Sequence, residues 1–289
     1  MDWFDNVMER RDHFLTHGGL KFHITEWGPS TGHPVLMMHG IRGYAETFAG
    51  VAQVLQPAYR VIAFDQRGRG ESDWDPDRNY YTDTYVSDLA HIVDTLELKK
   101  FDLLGHSMGG INAIVYASTY PENVNRLVIE DAGPGAFENS TGAKRIRQEL
   151  ENTPAFFARW EDACEFMRAL RPSVTEEARL QRLKSMLKPE PSGGLTWRYD
   201  HAGIASTRLN PDPSRVVNLT PHVAAIRCDT LLLRGGNTDY LQPEMAKAMC
   251  ELNPRIVCQT IEGAGHYIHD DQPLAFNKAV KQFLQAGIK

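Results

Sequence analysis

Phe101-Asp102-Leu103-Leu104-Gly105-His106-Ser107-Met108-Gly109-Gly110-Ile111-Asn112-Ala113-Ile114-Val115-Tyr116-Ala117 is the stretch whose reading decides the fold. A short apolar run enters a serine flanked by glycines and leaves as an alanine-rich segment with helical spacing. This predicts a buried strand, a strained turn and a helix, the setting in which G-x-S-x-G serves as a nucleophile elbow. A serine at the tip of such a turn holds its hydroxyl clear of its own backbone. The flanking glycines leave room where a side chain would strike the neighbouring strand or helix.

Upstream, His13 to Trp27 alternates apolar and polar residues around Gly18-Gly19, as in a hairpin. Val35-Leu36-Met37-Met38 and Arg60-Val61-Ile62-Ala63-Phe64 are continuous apolar runs, expected of strands covered on both faces. Helical stripes lie between and after them, at Tyr44 to Leu55 and Thr84 to Leu96. Arg126 to Asp131 is a further strand. The alternation predicts a mostly parallel, doubly wound α/β sheet, whose sites lie at the carboxyl ends of the strands. His39, Asp65, Ser107 and Asp131 all fall at such ends.

From Pro134 the rhythm breaks. No convincing strand is predicted up to residue 220. Helices are expected instead at Lys144 to Leu150, Phe156 to Leu170, Thr175 to Leu187 and Leu195 to Leu209, punctuated by proline and glycine. The expected organisation is a core of residues 1–133 and 221–289 with a helical cap, 134–220, inserted after the sixth strand. The core resumes at Thr230 to Arg234, continues through a helix from Pro243 and a strand Arg255 to Ile261, and closes with the helix Gln272 to Leu284.

At 289 residues, 42% hydrophobic and 24% charged, the chain reads as an ordinary globular protein. A net charge of −6 and no basic stripe argue against a nucleic-acid partner. The acidic first residues do not resemble a signal peptide, and no apolar run approaches the roughly 18 residues of a membrane span. A cytoplasmic location is therefore expected. Cys164, Cys228, Cys250 and Cys258 form no C-x-x-C pair and read as buried free thiols. His266 and His269 have i, i+3 spacing without a recognisable third ligand, so neither a metal nor any cofactor is expected.

A serine hydroxyl needs a base, and the base needs an acid to fix its tautomer. His266, in Gly263-Ala264-Gly265-His266 after the last strand, is the expected base. His39 and His106 are read as supports of their loops. The chain order Ser…Asp/Glu…His favours Asp239 as the acid, with Asp131 as the alternative. The oxyanion donors are expected to be the backbone N–H groups of Met108 and Ile41. Candidate pocket residues are His39, Arg42, His106, Trp160, Trp197, Tyr199 and Tyr267. Any single lid arginine is more simply read as solvated, with Arg42 beside the oxyanion loop the exception to watch.

With these parts in one order, the chain resembles the lidded serine-hydrolase branch of the α/β-hydrolase superfamily. The resemblance spans nearly the whole length and rests on His39-Gly40, the loop Asp65-Gln66-Arg67-Gly68-Arg69-Gly70-Glu71-Ser72-Asp73, the elbow, and Gly263-Ala264-Gly265-His266. It implies an α/β-hydrolase fold with a cap and a Ser-His-Asp triad. In relatives the acid commonly stands four residues before a helix-starting proline, as Asp239 stands before Pro243; some relatives take it from the strand ending at Asp131. Carbon–carbon hydrolases of this size typically carry asparagine before the serine and tryptophan after the histidine, where this chain has His106 and Tyr267. The expected function is hydrolysis of a small ester, lactone or amide through an acyl-enzyme. The alternatives are carbon–carbon hydrolysis of a diketone ring-fission product, cofactor-free perhydrolysis, or a slow-turnover small-ligand receptor. The expected partner is a small molecule, not a membrane, and the chain is expected to act as a monomer or homodimer.

Overall fold

The computed structural model describes residues 10–136, 140–172 and 174–286. Eight strands form one sheet: β1 (Arg10–His17), β2 (Leu20–Trp27), β3 (His33–Met38), β4 (Tyr59–Phe64), β5 (Phe101–His106), β6 (Val124–Glu130), then Asp229–Gly235 and Ile256–Ile261. Their spatial order is β1-β2-β4-β3-β5-β6 followed by the last two strands in turn. β2 pairs antiparallel with β1 and β4, and the remaining pairs are parallel. This is the mostly parallel α/β-hydrolase sheet, with a large helical insertion after the sixth strand.

The apolar runs explain the layers. Leu103 faces one side of the sheet with Leu36, Ile62 and Ile129; Leu104 faces the other with Val35, Met37, Val61 and Val128. Period-2 alternation thus feeds two cores at once, which is why these strands read as continuously apolar. Helices α1 (Ala49–Leu55, entered through a 3-10 turn at Ala45–Phe48), α2 (Thr82–Thr95) and α3 (Met108–Thr119) cover the two faces.

The insertion holds helices α4 (Thr141–Asn152), α5 (Trp160–Leu170), α6 (Glu176–Met186) and α7 (His201–Leu209). The expectation of a strandless cap is corrected. β7 (Phe156–Phe157), β8 (Leu187–Pro189) and β9 (Leu195–Trp197) form a small antiparallel sheet in the order β7-β9-β8. Strands of two or three residues are too short to carry an alternation, so the aromatic residues were absorbed into neighbouring helical stripes. Helix α8 (Leu219–Ala225) was also unanticipated, because Pro221 sits inside it. It leads back to the core through β10 (Asp229–Gly235), α9 (Pro243–Leu252) and β11 (Ile256–Ile261), and the sheet is closed by α10 (Ile268–Asp271) and α11 (Pro273–Gln285). All four cysteines are free, but only Cys164 and Cys228 are buried; Cys250 and Cys258 are half-buried.

No helix among the described residues is long and apolar enough to cross a membrane. The tightest point of the fold is the elbow. A Cβ on Gly109 would lie 2.2 Å from the Met38 carbonyl oxygen, and one on Gly105 2.3 Å from the Gly109 oxygen. Both obstacles are backbone and cannot rotate away. Gly109→Ala is expected to lower the unfolding free energy by about 1–3 kcal/mol, the usual scale of overpacking, as read by urea denaturation.

Candidate active site

β5 ends at His106 and α3 begins at Met108, so Ser107 is the single residue joining them. Its φ of +53° and ψ of −117° are those of a strained turn. The serine is 4% exposed, and its hydroxyl lies 2.9 Å from His266 Nε2. The other ring nitrogen, Nδ1, donates to Asp131 Oδ2 at 2.7 Å. Hydroxyl, imidazole and carboxylate therefore form one continuous relay.

The relay corrects the expected acid. Asp131 immediately follows β6, on the strand beside the elbow strand, and its N–H bonds Leu233 O of β10 at 2.8 Å. Its carboxylate also accepts from the Thr238 hydroxyl at 2.6 Å and the Gly235 N–H at 3.2 Å. Asp239 points elsewhere. Arg145 of α4 takes both its oxygens, at 2.7 and 2.9 Å, and the Asp239 carbonyl accepts from Gly142 N at 2.8 Å. The loop Gly235-Gly236-Asn237-Thr238 places a threonine against the Asp131 carboxylate and sends the following aspartate to the cap.

Electrostatics fit a base at rest. Burial is the main force on His266 and holds it down to about 3, so the imidazole is neutral near pH 7 and free to accept a proton. Burial pushes the Asp131 carboxyl upward, and the Thr238 hydroxyl, the Gly235 N–H and the Arg234 charge oppose it by favouring the carboxylate. Arg145 acts first on Asp239, holding it below the ordinary carboxylate range.

The two supporting histidines have definite tasks. His39 Nδ1 donates to Gly40 O at 2.8 Å and its Nε2 accepts from Gln66 N at 3.0 Å, so it braces the loop that carries Ile41. The Arg69 Nε–H bonds Ile41 O at 3.1 Å, fixing the same loop from the other side. His106 Nε2 donates to His266 O at 3.0 Å and so holds the base's own backbone. His269 turns away from any pairing with His266: its N–H and Nδ1 bond Glu130 at 3.0 and 2.8 Å. His106, Glu130 and His269 bring three donor atoms within 4.8 Å, and these hydrogen bonds already engage them in pinning the histidine loop.

Ile41, Met108, Ile146, Arg208 and Tyr240 enclose a chamber of about 10 Å³ beside Ser107. Met108 opens α3, so its N–H belongs to the N-terminal amides that lack an intrahelical acceptor. Ile111 and Arg208 are walls both of this chamber and of a larger cleft of about 810 Å³ between α7, α8 and the core. The expected pocket residues divide. Tyr267 and Arg42 line a void at the cap–core boundary, and Tyr199 is buried against the same group of cap residues. Trp197 is a cap-core residue instead, its Nε1–H bonded to Pro154 O at 2.6 Å and its ring against Phe157 and Phe166. Trp160 is partly buried in the same cluster.

Sequence reasoning missed Thr238, the Glu130–His269 pair and the buried lid arginines. Arg171 and Arg182 share Asp270, and Arg42 and Arg145 share Glu149. A sequence-visible signal existed for one of them: Arg145 and Glu149 have the i, i+4 spacing of a helix pair.

The chain matches the family model for the alpha/beta hydrolase fold over residues 33–273 and belongs to that family. Its relatives are enzymes. It is 30% identical over 92% of its length to a Bacillus subtilis (strain 168) protein provisionally named 2-succinyl-6-hydroxy-2,4-cyclohexadiene-1-carboxylate synthase, 95% of which is covered. It is 28% identical over 89% of its length to sn-1-specific diacylglycerol lipase ABHD11 of Mus musculus, covering 82% of that protein. It is 25% identical over 92% of its length to the 2-hydroxy-6-oxononadienedioate/2-hydroxy-6-oxononatrienedioate hydrolase of Escherichia coli O139:H28 (strain E24377A / ETEC), covering 91% of it. The fold superposes on the crystal structure of E-2-(acetamidomethylene)succinate hydrolase with a TM-score of 0.85, at 24% identity, over 96% of this chain and 99% of the other. The chain is thus an α/β-fold hydrolase.

The two aspartates are separable by experiment. Asp131→Asn is expected to lower kcat by about 10⁴-fold, the loss seen when a triad acid no longer fixes the histidine tautomer. Asp239→Asn is expected to cost less than about tenfold, since it removes a cap contact. Steady-state kinetics on one activated ester measures both, and the reverse order would restore Asp239 as the acid.

Proposed function

We propose that this hydrolase works through Ser107 and cleaves a carbon–carbon bond next to a ketone in a vinylogous diketone acid. The observation that carries the serine mechanism is the relay from Ser107 Oγ through His266 to Asp131, at 2.9 and 2.7 Å. The Ser107 hydroxyl attacks the ketone carbon and passes its proton to His266 Nε2. Asp131 stabilises the imidazolium, and the N–H groups of Ile41 and Met108 receive the oxyanion. As the carbon–carbon bond breaks, the departing carbon leaves as an enolate and takes the proton back from His266. Water, deprotonated by His266, then releases the acyl group from Ser107.

The bond type is supported by the relatives. The E. coli name describes a hydroxy-oxo-dienedioate, a carbon chain with no ester or amide link to hydrolyse. Against this stand His106 and Tyr267 in place of the asparagine and tryptophan typical of such enzymes. A second reading, ester cleavage by the same triad, is favoured by the diacylglycerol lipase relative.

A panel of a vinylogous diketone acid, simple esters, a lactone and an amide, run on wild type and Ser107→Ala, tests the proposal. The diketone acid is expected to give the highest kcat/KM, and Ser107→Ala to lose about 10⁶-fold in kcat, as when a triad serine is removed. Fast ester turnover with an inert diketone acid would select the second reading; retained activity in Ser107→Ala would overturn both.

The pH dependence follows from burial. His266 must be neutral to accept the serine proton, and its folded value lies below the ordinary 6.5. Activity should therefore persist as the pH falls through 6.5 and decline only further into acid. A kcat/KM profile with its acid midpoint at or above 6.5 would contradict the buried, neutral base.

A further inference from the structure

The cap meets the core around one guanidinium. Arg42 follows Ile41 in the oxyanion loop, is 7% exposed, and commits its Nη2 to Glu149 of α4. Its Nη1 is buried without a hydrogen-bond partner, and so are the Tyr199 hydroxyl and His201 Nδ1. After burial, Arg42 is the leading charge acting on both Tyr199 and His201, and the Tyr199 and His201 rings meet edge-on at 5.9 Å. Tyr267 faces the same guanidinium from beside the catalytic histidine. Burial opposes its ionisation, but Arg42, Arg171 and Arg182 outweigh burial and make the phenol more acidic than usual. Arg42 and Tyr267 also line a void of about 20 Å³ with Arg171, Arg182 and Met186.

Buried polar atoms in native proteins are almost always paired, so three unpaired ones around one cation require an explanation. A guanidinium N–H, a phenol O–H and an imidazole nitrogen able to carry a proton are a donor set. The partner they fit is an anion with several lone pairs in a small space. A carboxylate provides four acceptor sites on two oxygens and takes a forked guanidinium well. Phosphate is disfavoured because Glu149 already meets part of the Arg42 charge. Arg42 directly follows Ile41, so the guanidinium is carried by the same loop that is proposed to hold the oxyanion.

We propose that Arg42, Tyr199 and His201 form a subsite for a carboxylate of the substrate, which makes the enzyme selective for acids over neutral analogues. The proposal rests on Ser107 as the reacting centre and names the substrate class of that site.

Calorimetry on the Ser107→Ala protein tests the subsite without any turnover. Succinate, glutarate and fumarate are titrated against their diamides, in this background alone and with Tyr199→Phe or Arg42→Met added. At least one diacid is expected to bind about tenfold or more tightly than its diamide. That preference should fall about 10- to 100-fold with Arg42→Met and about 3- to 10-fold with Tyr199→Phe, the scale of charged and neutral hydrogen bonds. Tyr199→Phe deletes one oxygen and keeps the ring, so it guards against a cap loosened by loss of Arg42. Equal binding of diacids and diamides, or a preference unchanged by Tyr199→Phe, overturns the subsite. Persistence of ester turnover in Ser107→Ala would instead overturn the serine mechanism, so the two failures are told apart.

Discussion

The close approach of three backbones at the elbow sets the rest of the site. Gly109 lies where any Cβ would enter the Met38 carbonyl at 2.2 Å, so the start of α3 is pressed against the end of β3. Ser107, two residues earlier, takes a positive φ in the same tight turn. Met108, which opens α3, and Ile41, in the loop after β3, line the same small chamber beside Ser107. The proposed nucleophile and oxyanion donors thus sit around one sterically tight point. Asp131 repeats the theme on the next strand, with a φ of +49° as it leaves β6. Two of the four described non-glycine residues with positive φ are thus the two ends of the relay.

Local features of this kind were legible in the sequence. The elbow, the apolar strands and Gly263-Ala264-Gly265-His266 each express themselves within a few adjacent residues, and their periodicity or glycine content has one dominant reading. The acid was not legible in the same way, because chain order admits both Asp131 and Asp239. What separates them is where a four-residue loop spends its hydrogen bonds. Thr238 reaches the triad, and Asp239 is captured by an arginine 94 residues earlier. No local pattern encodes that choice.

The cap was the least legible region for a related reason. Its strands are two or three residues long, too short for alternation to show. Its arginines sit at helical spacings that suit solvent equally well, yet Arg171 is buried and Arg182 partly buried against Tyr267 and Asp270. A charged residue is drawn inward only when a partner waits there, and the partners come from the far end of the chain. The loop after the last strand supplies His266, then Tyr267, then Asp270, so the segment that carries the proposed base also receives the cap.

The sharing of Glu149 between Arg42 and Arg145, with Arg145 passing on to Asp239, links the oxyanion loop, the first cap helix and the β10 loop in one chain of charges. A cap exchanged in a laboratory chimera without Arg145 and Glu149 would leave Arg42 and Asp239 without these ion-pair partners. The seam between cap and core is therefore matched by charge as well as by shape, and an exchanged cap has to bring both charged partners with it.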